Sequence, residues 1–169
     1  MHETNLRFAT RLNSFGSRPD AYWPKGYGKP SPLELAERAS KAEGLTDVDL
    51  NYPDHVGPDA RVTGEEIRDL GLAVNGLAMR YYSNPAFKLG AFTNPDPAVR
   101  CDAIELTKRG IDAARQAGCN LMTLSTTPFR PTMRGSGQMR SRAFARSLYT
   151  IQIASSASNT SLTSRVPTV

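Results

Sequence analysis

Two hydrophobic periods alternate along residues 1–124 and then stop. Leu6, Phe8 and Thr10 interleave with Arg7, Ala9 and Arg11, a period of two that predicts a strand opening the run Leu6 to Phe15. A long loop, Gly16 to Ser31, follows, with Tyr22, Trp23 and Tyr27 among many Gly and Pro. Loops of that length carry function or are disordered, and the aromatics argue against disorder. Ser31 and Glu34 form an S-x-x-E capping box with Pro32 at the first helical position. Leu33, Leu35, Ala36, Ala39 and Ala42 supply the apolar stripe, and Gly44 is the expected stop. Asp47 to Tyr52 reads as a second strand running into the polar loop Pro53-Asp54-His55.

The pattern then repeats. Thr63 and Glu66 match a second capping box, Ile67, Leu70 and Val74 a buried face, and Gly76 a stop. Leu77 to Tyr82 is the third predicted strand, followed by a loop from Ser83 to Pro95. Asp96 and Pro97 open a third helix whose apolar positions run from Val99 through Ala114 to Gly118. Asn120 to Leu124 is the fourth strand. Strands separated by whole helices imply right-handed parallel βαβ units. The first strand–helix turn, Asn13-Ser14-Phe15-Gly16-Ser17, has neither a G-x-G-x-x-G nor a phosphate-loop lysine, so a dinucleotide fold is disfavoured. Arg11, Asn51 and Arg80 place polar groups where a barrel mouth wants them. The expected fold class is α/β: about four βα units of a partial TIM barrel over residues 1–124, with an irregular tail over 125–169.

Charge sharpens that boundary. The chain carries +5 overall, a value that points to nucleic acid. Residues 1–124, however, hold 15 Lys and Arg against all 16 Asp and Glu, whereas 125–169 hold six Arg and no acid. The basic character belongs to the tail, where it is spread without Lys or clusters, so a nucleic-acid-binding arm is the alternative function and not the preferred one. Cys101 and Cys119 fit no metal or redox spacing and read as semi-buried thiols of a reducing compartment. Nothing spans a bilayer, and a cytoplasmic protein is expected.

The stretches F-A-T-R-L-N-S-F, G-L-T-D-V-D-L-N-Y-P-D-H and A-G-C-N-L-M-T-L resemble the xylose isomerase-like TIM-barrel superfamily of sugar isomerases and sugar-phosphate epimerases. The resemblance covers residues 6–124. It implies aldose–ketose isomerisation or ketose epimerisation of a sugar or sugar phosphate, assisted by a divalent metal (Mn, Mg, Co or Zn). In such families the ligands, two Glu, one Asp and one His, come from the second half of the barrel. No metal ligand and no catalytic residue is therefore expected in this chain, which reads as truncated and inactive. The first half supplies sugar contacts, and by position these fall on Asn13, Trp23, Asn51, Asp54, His55 and Arg80. Each has a plainer role open to it. Asn13 and Asn51 can cap or turn the chain, and His55 can be a solvated loop residue. Arg80 can close a strand-end salt bridge, and Trp23 with Tyr27 can cover the barrel end. An endonuclease of the metal-dependent barrel type is disfavoured, since His2 and His55 are the only histidines.

The tail also reads as a frameshift. Ser156 to Arg165, back-translated and read from the third base, allows S-I-E-Y-K-P-N-E-P-R, and one constant shift yields barrel-like sequence across the whole tail. Stops in that frame of the gene would defeat this reading. A half barrel leaves parallel edges near residues 6–12 and 120–124, where self-association is expected.

Overall fold

The segment Asp47–Tyr52, D-V-D-L-N-Y, sets the logic of the sheet. Val48 and Leu50 are fully buried on one face, while Asp47, Asp49 and Asn51 alternate onto the other. In the computed structural model, which describes residues 6–24, 28–125 and 148–153, this segment is the second of five strands. They are β1 (Ala9–Arg11), β2 (Asp47–Tyr52), β3 (Ala73–Met79), β4 (Leu121–Ser125) and β5 (Leu148–Gln152). Their order in the sheet is β1-β2-β3-β4-β5. The first four are mutually parallel, and β5 returns antiparallel to β4. The order follows the chain without the reversal that marks a doubly wound sheet. It is compatible with a partial α/β barrel.

The helices are α1 (Pro19–Tyr22), α2 (Pro32–Ala39), α3 (Ala60–Asp69) and α4 (Pro97–Ala117). Leu35, Ala36 and Ala39 of α2, Ile67 of α3, and Ala103, Ala113 and Ala114 of α4 join Leu50, Leu77, Met79 and Met122 in one core. Small residues let α4 sit close: a Cβ on Gly110 would lie 2.6 Å from the Met79 Sδ. No helix among the described residues is long and apolar enough to cross a membrane.

The expected cap of α2 is present in full. Ser31 Oγ accepts from the Glu34 N–H, and Glu34 Oε2 accepts from the Ser31 N–H at 2.7 Å. The helix ends at Ala39, however, and Gly44 follows a further turn at φ 79°. The second helix needs correction at both ends. Asp59 is its cap, its Oδ1 accepting from Arg61 N–H at 2.9 Å. Thr63 lies one turn inside and accepts from Gly57 N–H at 3.2 Å. The chain leaves α3 through Gly71 at φ 78°, so β3 begins at Ala73 and Gly76 is a strand residue. β3 stops at Met79, and Tyr81–Ser83 form a 3-10 turn where a strand was expected. α4 keeps its predicted limits, with Asp96 as cap and Gly118 at φ 84° closing it.

The first strand pairs only over Ala9–Arg11 before a 3-10 turn at Leu12–Gly16. Leu6 and Phe8 precede it and are 68% and 60% exposed. The expectation of a period-less tail is corrected at Leu148–Gln152, which forms β5; most of the remaining tail lies outside the described residues. The open edge expected at 120–124 is consequently paired, while among the described residues β1 has a neighbour on one side only. Of the two thiols expected to be semi-buried, Cys101 is exposed and Cys119 buried, where desolvation pushes its pKa up to about 11.

At the N-terminal end of the sheet, Arg7 donates to both carboxylate oxygens of Asp47, Nε reaching Oδ2 at 3.0 Å. The Asp47 side chain is only 4% exposed. Its bond to Arg7 holds its carboxyl below the usual range, against the opposing effect of burial. A depressed carboxylate pKa stabilises the fold above the unfolded value of about 3.9 and loses that contribution as pH falls through the folded value. Arg7→Ala is therefore expected to lower Tm at pH 7, with the gap to wild type closing as melts are taken down towards pH 3. A gap independent of pH would show that the pair does not stabilise the fold through ionisation.

Candidate functional site

Because β1 to β4 are parallel, their C-terminal ends converge on one side of the sheet, the side on which a barrel places its chemistry. β2 ends at Tyr52, and after a cis Tyr52–Pro53 peptide the chain turns through Asp54 and His55. The turn folds His55 back onto its own strand. The His55 N–H donates to the Asn51 carbonyl at 2.8 Å, and the Asn51 N–H donates to His55 Nδ1 at 3.2 Å. With Nδ1 as an acceptor, the proton of the neutral ring sits on Nε2. Burial pushes the His55 pKa down; the Asp54 charge opposes this, and the Arg80 and Lys29 charges add to it. The site thus presents a neutral imidazole at pH 7 with an N–H to give.

Asp54 Oδ2 accepts from Ser83 Oγ at 2.8 Å, tying the loop after β2 to the turn after β3. The Arg80 N–H continues the ladder to the Tyr52 carbonyl at 2.8 Å. Its guanidinium lies 5.4 Å from the centre of the Tyr82 ring. Tyr81 anchors the same turn from below. Thr107 Oγ1 spends its hydrogen on the Ala103 carbonyl at 2.7 Å, so the Tyr81 hydroxyl is the donor in their 2.6 Å contact. Phe87 and Phe92 pack edge-on against the Tyr81 ring. Burial pushes the Tyr81 phenol up to about 12, which leaves it a neutral strut.

With this geometry in place, similarity to known proteins can be weighed. No family model matches the chain. It is similar to the xylose isomerase of Thermus thermophilus, 32% identical over 92 residues, which are 52% of this chain and 24% of the relative. The chain thus spans about a quarter of the length of that curated relative.

Four of the six residues singled out in the sequence come together here: Asn51, Asp54, His55 and Arg80. Asn51 is 7% exposed. Asn13 sits exposed in the turn after β1 and takes no part in the hydrogen bonds around His55. Trp23 belongs to another cluster. Its Nε1–H donates to the Phe15 carbonyl at 3.2 Å, and the Arg38 guanidinium lies 4.8 Å from its ring centre. Arg38 also donates to the Tyr22 carbonyl at 3.0 Å, so this tryptophan helps to join α1 to α2. Tyr27 lies outside the described residues.

Among the described residues no three His, Cys, Asp or Glu side chains gather as a metal would require. Asp54 and His55 are two such groups, but one carboxylate oxygen and Nδ1 are already engaged. This donor set does not fit a divalent-metal centre. Ser83, Tyr82 and Lys29 are the participants the sequence reading missed. Their signal was positional: two follow the end of β3 directly, and the third closes the long loop before α2.

A cleft of about 720 Å³ opens at the opposite end of the sheet, beside Asp47, Ala73 and Cys119. The arginines that line it are engaged: Arg7 by Asp47, Arg115 by Asp112 at 3.6 Å, and Arg68 by the Ala117 carbonyl at 3.5 Å. The Arg7 and Arg68 contacts tie neighbouring segments together, a stabilising role that suits this face of a barrel, while the Arg115 pair lies within α4.

Proposed function

We propose that the strand-end cluster is the sugar-contacting part of a sugar isomerase or epimerase of the xylose isomerase-like type. The observation that carries this reading is the reciprocal Asn51–His55 pair. It fixes a neutral imidazole, Nε2 protonated, beside a carboxylate and a cation on the chemistry-bearing side of a parallel sheet. Sugar hydroxyls need both donors and acceptors from rigid groups, and this cluster offers both. His55 Nε2–H donates to a sugar oxygen, and Asp54 accepts from a hydroxyl. The similarity to a xylose isomerase agrees in substrate class. No step is routed through a metal, because the described residues do not fit one.

Backbone 15N NMR with added pentose tests the reading. Shifts are expected at Asn51, His55 and Arg80, and none at Asp47 or Arg68 in the far cleft. Aldose–ketose conversion by the 169-residue chain is expected to be absent even when binding is seen, since Asp54 is already held by Ser83. Silence at all three site residues with every aldose and ketose tried would end the sugar-site reading.

A further inference from the structure

Among the described residues Arg80 is a cation without an anion, and its buried Nε has no hydrogen-bond partner there. The ion pairs among the described residues use other cations: Arg7, Arg18, Arg61, Lys108 and Arg115. Every acidic side chain of the sequence except Glu3 lies within the described residues, and none pairs with Arg80. The nearby carboxylate, Asp54, is turned to Ser83. The strand-end salt bridge that would give Arg80 a structural role is therefore absent among these residues. A half-buried guanidinium left unpaired is unfavourable in the empty protein and becomes favourable when an anion arrives.

The placement is suited to a ligand. Asn51 pairs in register with Ala78, so Arg80, two residues further on, lies on the same face of the sheet and one step nearer the strand ends. The Tyr82 ring supports one face of the guanidinium. A planar guanidinium held in this way offers its N–H edge, which matches the paired oxygens of a carboxylate or phosphate.

We infer that the ligand of this site is an anionic sugar, a sugar acid or a sugar phosphate, whose charged group is read by Arg80. This rests on the sugar-site reading above, and makes Arg80 the residue that selects against neutral sugars such as xylose.

Isothermal titration of the full chain with D-xylose, D-xylonate and D-xylose 5-phosphate, with inorganic phosphate and acetate as bare anions, decides the matter. At least one anionic sugar should bind about tenfold or more tighter than xylose at low salt, and the stronger of the two names the group. Arg80→Ala should reduce that advantage to about twofold, and Arg80→Lys should fall between. Equal affinity for xylose and both anionic sugars overturns the inference and leaves the sugar site standing. Bare phosphate or acetate binding as well as the anionic sugars, with Arg80 dependence, keeps the anion contact and removes the sugar reading. No binding by any of the five overturns both. Should Arg80→Ala fail a circular dichroism check, the Arg80→Lys comparison carries the test alone.

Discussion

Gly64→Ala should destabilise the chain by about 2 kcal/mol, although alanine is the better helix former. A Cβ at this position would stand 2.5 Å from the Ala117 carbonyl oxygen and 2.9 Å from its carbon. Those atoms are backbone at the end of α4, so no side chain can swing away to make room. Helix propensity favours the substitution by about 1 kcal/mol. Forcing α3 away from α4 costs about 3 kcal/mol, the upper end of the usual range, because backbone has to move and Ile67, Ala113 and Ala114 lose contacts together. The clash wins. At about 2–4 °C per kcal/mol for a chain of this size, Tm should fall by about 4–8 °C. Gly57→Ala is the matched control. Its new Cβ would meet only Thr63 Oγ1, at an ordinary 3.6 Å, and its stability should stay within about 0.5 kcal/mol of wild type. Equal midpoints for Gly64→Ala and wild type in chemical denaturation would mean that α3 and α4 do not meet at this glycine.

The boundaries that the sequence misplaced have a common physical cause. Ser31, Pro32 and Glu34 could be read correctly because three independent helix-start signals coincide there. Thr63 and Glu66 meet the same S/T-x-x-E pattern one turn inside a helix, where the threonine hydroxyl serves the Gly57 N–H and not the helix end. Gly71 and Gly76 look alike in sequence, yet only Gly71 takes a positive φ; Gly76 is needed in β3, where a Cβ would lie 3.0 Å from the Leu121 carbonyl oxygen. Which glycine ends a helix and which admits a neighbouring strand is decided by tertiary contact. The site divides in the same way. The strand-end positions of Asp54, His55 and Arg80 were legible because strand ends are legible. Ser83 reaches Asp54 across 29 residues, a pairing no local pattern encodes. Trp23 had the chemistry of a sugar platform but the surroundings of a helix brace. β5, with Ile153 just beyond it, carries a short alternation, Tyr149, Ile151 and Ile153 against Thr150 and Gln152, that the sequence reading passed over, and it pairs with β4.

The His55 imidazole should prove worth more than any other single side chain in the proposed site, and its two roles should separate. In His55→Phe the Asn51 N–H, at a buried residue, loses its acceptor, which costs about 1–3 kcal/mol of stability. The same change removes the Nε2–H donor, and affinity for the bound sugar should fall about 30-fold or more, equivalent to about 2 kcal/mol. His55→Asn offers a carbonyl oxygen near the position of Nδ1. It should recover much of the stability and little of the affinity. The pH dependence has a definite sign. Because the folded pKa lies below the unfolded value of about 6.5, the unfolded chain binds protons first as pH falls. Stability is full above about 6.5 and declines until the folded pKa is passed. Sugar affinity falls through the folded pKa, because a proton on Nδ1 abolishes its bond from Asn51. Arg80→Ala removes a charge that depresses this pKa and should raise it, whereas Asp54→Asn removes one that raises it and should lower it further. NMR titration of the ring reads both shifts directly. Shifts in the same direction for the two variants, or a sugar-binding profile in His55→Phe that keeps the wild-type fall below pH 6.5, would exclude the imidazole as the titrating group.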